Sequence, residues 1–194
     1  MKKLVIFFLT STVLIIACLI YPGCKKDCGK ALPLLTQTGK NIFACKINDE
    51  CWTAEGFTDW GTGIYVPAIS GGLWPQRNSD KMNLYIVAQS SSLERVELFI
   101  RNETTERFLK PGMYTLNNNT FVLDFASSYN QHLVKDYGAL NYTTTDSTHT
   151  GWIEIIKLDS VNRIISGRFE FEIHNTSSNK TCKITDGRFD VKSS

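Results

Sequence analysis

Residues 164–191 read IISGRFEFEIHNTSSNKTCKITDGRFDV, and the stretch says nearly the same thing twice. Ile165-Ser166-Gly167-Arg168-Phe169 returns twenty residues later as Ile184-Thr185-Asp186-Gly187-Arg188-Phe189. In the first half Phe169, Phe171 and Ile173 alternate with Arg168, Glu170 and Glu172. That period of two belongs to a strand with one face in a core. Asn175-Thr176-Ser177-Ser178-Asn179-Lys180 has the composition of a hairpin loop. On the return strand Cys182 and Ile184 hold even positions, whereas Phe189 and Val191 hold odd ones. The parity changes at Asp186-Gly187. One extra residue there, a β-bulge with Gly187 at the positive-φ position, returns every apolar side chain to the core. Gly167 stands before Arg168-Phe169 in the same way and suits close packing or a second bulge. Arg168 and Arg188 are then expected toward solvent, or paired with Glu170 and Asp190. The doubled Gly-Arg-Phe is a device of a β-hairpin, not a binding motif.

The same alternation spreads outward through the chain. Val96, Leu98 and Ile100 oppose Glu97 and Arg101; Met82, Leu84, Ile86 and Ala88 share a face; Phe121, Leu123 and Phe125 share another. Residues 151–159, GWIEIIKLD, are apolar on both faces, with Trp152, Ile156 and Leu158 on one and Ile153 and Ile155 on the other. This pattern predicts a central strand. Beyond the first 23 residues no window keeps a 3.6-residue period, so helices should be few and short. The expected fold is all-β: about ten antiparallel strands over 41–192, as a two-sheet sandwich, with a flattened lipocalin-like barrel as the alternative.

The N-terminus points to export. Met1-Lys2-Lys3 precedes an apolar run from Leu4 to Ile20, as in a signal peptide. Two cysteines follow small residues, Cys18 after Ala17 and Cys24 after Gly23. Cys24 ends the apolar stretch and is followed by Lys25-Lys26-Asp27, a polar start to a tether. The predicted organisation is therefore a lipoprotein signal peptide over 1–23, lipidation of Cys24, a tether over 24–40 and a β domain over 41–192. The mature chain loses Lys2 and Lys3 and keeps 19 basic and 19 acidic residues, so its formal charge is zero. A neutral chain without a basic stripe does not predict nucleic-acid binding. Cys28, Cys45, Cys51 and Cys182 remain, an even set in a disulfide-permissive compartment, and four cysteines allow three pairings. No close C-x2-C pair exists and His174 stands apart from the cysteines, so no metal site is assigned.

Two blocks carry a resemblance. Residues 35–52, LTQTGKNIFACKINDECW, and 151–191, from GWIEIIKLDSVNRIISGRFEFEI to KTCKITDGRFDV, resemble the two ends of a family of small uncharacterised lipoproteins from Bacteroidota. Gln37-Thr38-Gly39-Lys40-Asn41, Phe43, Cys45, Asn48 and Trp52 match that pattern, while Asp49 stands where a turn glycine is usual. Residues 56–148 match only loosely. The resemblance implies a lipid-anchored outer-membrane protein with a β domain and supplies no catalytic residue.

Chemistry is sparse. His132, His149 and His174 sit in no nucleophile, metalloprotease or phosphate-loop motif. Carboxylates are scattered, and Asp186 and Asp190 lack the oxygen density of a calcium loop. No catalytic residue, cofactor or metal is predicted. The stretch 56–81 holds five glycines, two prolines and the aromatics Phe57, Trp60, Tyr65 and Trp74. It reads as a long loop, and flat aromatics on loops suit sugar rings or partner anchoring. Trp60, Tyr65 and Trp74 are the predicted contacts for an unknown protein or glycan partner. The expected role is non-catalytic binding. The rivals are a hydrolase whose site forms only in three dimensions and a structural envelope component.

Overall fold

A computed structural model describes residues 32–59, 61–91, 94–117, 145–175 and 179–193. These residues form eleven strands and no helix. The repeated stretch supplies β10 (Ile164–Asn175) and β11 (Lys180–Lys192), an antiparallel pair at the centre of a six-stranded sheet. Outward from β11 come β1 (Ile42–Ile47) and β2 (Glu50–Thr53); outward from β10 come β9 (Gly151–Asp159) and β8 (Gly112–Leu116). A second sheet has the order β5 (Ile69–Pro75), β6 (Met82–Gln89), β7 (Arg95–Ile100). A ribbon of β3 (Phe57–Thr58) and β4 (Tyr65–Val66) precedes it. All pairings are antiparallel.

Alternation places one face of each sheet on a shared core. Leu84, Ile86, Val96 and Leu98 of the three-stranded sheet pack in one cluster with Phe43, Ile153, Ile155, Phe169, Ile184 and Phe189 of the six-stranded one. Phe43 is its hinge point, with ring centroids 4.9 Å from Phe169 and 6.1 Å from Trp52. The sheets do not close on each other, so the sandwich stands and the barrel does not. The strand expected over Phe121–Phe125 lies outside the described residues.

The parity switch in β11 is present, but its chemistry differs from the expectation. Phe169 pairs with Gly187 and Phe171 with Ile184, so Thr185 and Asp186 are the bulged residues. Asp186 holds the left-handed φ of 53°, not Gly187. Its side chain pairs with Lys46 Nζ at 2.6 Å and its amide donates to Glu170 Oε1 at 3.3 Å, which settles an acidic residue where glycine is usual. Beyond the switch Phe189 and Val191 are buried as the pattern requires. A β-branched residue fits the left-handed region poorly, so Asp186→Val should cost about 1–3 kcal/mol more than Asp186→Gly in paired denaturant melts.

Asp49 behaves alike. Asn48 and Asp49, at φ 49° and 68°, form the two-residue turn between β1 and β2, whose closing pair is Ile47 and Glu50. Both signs match a type I′ turn, so the hairpin keeps its geometry without glycine.

Two further expectations change. β9 is not central; it is next to last in its sheet. Ile156 is an extra residue between the Ile155–Gly167 and Lys157–Ser166 pairs, and this bulge turns Leu158 to the core side with Ile153 and Ile155. Residues 56–81 are not one loop, because β3, β4 and β5 lie within them.

Residues 32–41 run across the outer face of the six-stranded sheet. Phe189 points inward, so Arg188 and Asp190 point outward, together with Lys157 across the register. Arg188 Nη1 donates to Pro33 O at 3.1 Å, Lys157 Nζ to Gln37 O at 3.1 Å, and Lys192 N to Asn41 Oδ1 at 2.8 Å. Asp190 is fully buried beneath this strap. Its carboxylate accepts from Thr36 Oγ1 (2.5 Å), Thr38 N (3.1 Å), Gly39 N (2.8 Å) and Lys40 N (3.1 Å). The expectation that Asp190 pairs with an arginine is replaced by this nest of donors.

Candidate functional site

Cys24, Cys28 and Trp60 lie outside the described residues. Tyr65 and Trp74 are 66% and 61% exposed. They do not form one platform: Tyr65 is in the β3–β4 ribbon, whereas Trp74 is near the far end of β5, several residues of ~3.3 Å rise away.

Trp74 belongs to the outer face of the three-stranded sheet. It pairs with Asn83, and Gly72 pairs with Tyr85, which makes Tyr85 its diagonal neighbour on that face. Tyr85 in turn meets Phe99 edge to face at 6.2 Å. A side chain at Gly71 would meet Tyr85 O at 2.1 Å, so the glycine lets the edge strand lie close to β6. Glu97 also points outward, opposite Val96 and Leu98 as the alternation requires, yet is only 2% exposed. Arg95 Nε lies 2.5 Å from its Oε1, and the Tyr85 hydroxyl donates to its Oε2 at 3.3 Å. Pairing makes this buried charge tolerable. The outer face thus carries a half-exposed tryptophan beside two aromatics braced by an ion pair.

The cysteines resolve unevenly. Cys51 is disulfide-bonded, while Cys45 and Cys182 are free thiols. A bridge using Cys45 or Cys182 is therefore not part of this structure. Burial, then the neighbouring Cys182 and Glu94, push the Cys45 thiol far up; burial pushes Cys182 up to about 11. Both stay protonated at neutral pH and are poor nucleophiles.

His149 and His174, distant in sequence, stack with centroids 5.0 Å apart. His149 Nδ1 lies 3.0 Å from Asp146 Oδ2, and Thr148 Oγ1 donates to Asp146 Oδ1 at 2.7 Å. The His149 amide, then the Thr148 hydroxyl, hold the Asp146 carboxyl well below its ordinary range. Thr148 Oγ1 also lies 3.0 Å from His149 Nδ1, so hydroxyl and carboxylate share one ring nitrogen. A nucleophile–histidine–carboxylate relay needs one partner on each nitrogen, and this cluster lacks that arrangement. His132 lies outside the described residues.

A second feature was not found from sequence. On the outer face of the six-stranded sheet, Trp152 stands directly across from Glu170, and Glu172 across from Lys183. With Thr150 and Thr185 they surround a shallow pit of about 300 Å³. Lys183 Nζ is 3.5 Å from Glu172 Oε2. Among the described residues no group of three or more His, Cys, Asp or Glu side chains could hold a metal ion.

A family model described as "Domain of unknown function (DUF6252)" matches residues 76–191, from just before β6 to nearly the end of β11. No curated protein and no solved structure matches the chain.

Proposed function

We propose, from the premise that the chain belongs to the DUF6252 family, that it is a lipid-anchored envelope protein whose β domain is a non-catalytic binding module. The exposure of Trp74 carries the binding reading. A large aromatic on an edge strand, beside Tyr85 and Phe99, has the character of an interface anchor. Anchoring rests on Cys24, with its small preceding residue and the apolar run that ends before it.

Two measurements test this. Mass spectrometry of the mature N-terminal peptide should find the lipid on Cys24; lipid on Cys18, or an unprocessed Met1, overturns the anchor. Trp74→Ala should weaken partner retention in an envelope pull-down by about 2 kcal/mol or more and leave the thermal melt nearly unchanged. Loss of folding instead would make Trp74 a structural cover and remove the reading's support.

A further inference from the structure

We infer that the pit at Trp152 is a subsite for one neutral sugar ring of a glycan, on a different face from Trp74 and independent of it. The strap of residues 32–41 occupies the part of this sheet face that holds Arg188, Asp190 and Lys157. The part holding Trp152, Glu170, Glu172 and Lys183 forms the pit. Its volume of about 300 Å³ is at the small end of ligand sites. That is room for one ring, not a peptide segment.

The lining chemistry selects the ligand. An indole offers a flat apolar surface to the C–H face of a pyranose. Glu170 and Glu172 accept hydrogen bonds, which ring hydroxyls donate. Thr150 and Thr185 add hydroxyls that donate or accept. Among the described residues of the lining Lys183 is the only cation, and Glu172 already faces it. Two carboxylates against one ammonium leave the pit negative, so phosphorylated, sulfated and uronic sugars are disfavoured. Glu170 and Glu172 are two residues apart on β10 and share a face, their backbone positions about 7 Å apart along one wall. A glycosidase needs its two carboxyls on either side of the scissile bond. With both carboxylates on one wall, the role inferred for the pit is to hold a sugar and not to cut it.

The test is ligand-observed saturation-transfer NMR on the full chain in detergent micelles. The probes are the methyl glycosides of glucose, galactose, mannose and N-acetylglucosamine, with glucuronic acid as the anionic control. At least one neutral glycoside should receive saturation on its ring C–H protons with a millimolar dissociation constant. Trp152→Ala and the surface change Glu172→Gln should each weaken it about tenfold, whereas Trp74→Ala should not alter it. Silence from all four glycosides, an equal response to glucuronic acid, or wild-type binding in both pit variants overturns the subsite. Hydrolysis of the corresponding nitrophenyl glycosides overturns its non-catalytic character. Partner retention in the Trp74 variant reports separately on the other face.

Discussion

Replacing Asp190 with alanine is expected to destabilise the domain by about 3–5 kcal/mol, read as a drop in urea midpoint at constant slope. The carboxylate is fully buried and receives four hydrogen bonds, three from the consecutive amides of Thr38, Gly39 and Lys40. Alanine removes the acceptor and leaves those donors facing apolar surface, and each hydrogen bond to a charged group is worth about 1.5–3 kcal/mol. Only part of the sum appears, because the strap can peel away and hydrate its amides. Asp190→Asn keeps the shape but loses the charge and turns an amide group toward donors, so about half of that loss is expected. The two variants also separate in acid. Burial by itself raises the Asp190 pKa, but hydrogen bonds from Thr36, Lys40, Gly39 and Thr38 outweigh it and hold the carboxyl below its ordinary value. A carboxyl whose folded pKa lies below the unfolded ~3.9 contributes stability that is complete above that pH. This contribution is lost as pH falls through the folded value. Wild type should therefore lose its advantage over Asp190→Asn below about pH 4, and a constant difference down to pH 2 would contradict the account.

Gly187→Ala is expected to cost about 3 kcal/mol or more, and Gly187→Val more again. The reason is space and not backbone conformation. A Cβ on Gly187 would lie 2.4 Å from Phe169 O and 2.6 Å from two carbons of the Phe169 ring. Phe169 is itself locked between Phe43 and Phe171, with centroids at 4.9 and 5.9 Å, so neither its ring nor the β10 backbone can yield cheaply. If positive φ were the cause, alanine would be tolerated at about 1 kcal/mol. Guanidinium melts of the two variants beside Asp186→Gly distinguish the explanations. A near-neutral Gly187→Ala would mean that β11 can slide away from Phe169.

Much of the sandwich is written in alternation. Leu84, Ile86, Val96, Leu98, Phe169, Phe171 and Ile173 face the core as their period-two spacing requires. The parity switch in KITDGRFDV predicted a bulge, because apolar side chains cannot remain on one face without an extra residue. Which residue takes the unusual φ was beyond the pattern. Asp and Gly both tolerate the left-handed region, and the choice depends on Lys46 and Glu170 across the neighbouring strands.

The sites were less readable for a related reason. Tyr65 and Trp74 stand close in sequence, yet β5 carries one away from the other. Trp152 is near neither Glu170 nor Glu172 in sequence, and meets them only through the β9–β10 register. His149 and His174 come together in the same way.

What the amino-acid order by itself determined is the local content: strands of given phase and a hairpin over 164–191. These follow from side-chain chemistry acting over a few residues. Tertiary structure alone decided that Thr36-Gln37-Thr38-Gly39-Lys40 closes on Asp190, about 150 residues away, in a stretch whose sequence carries little periodicity. A buried carboxylate must find donors, but nothing in its own neighbourhood names them. Cross-strand register and sheet packing supply that partner, because they alone bring the two ends of the chain to one face.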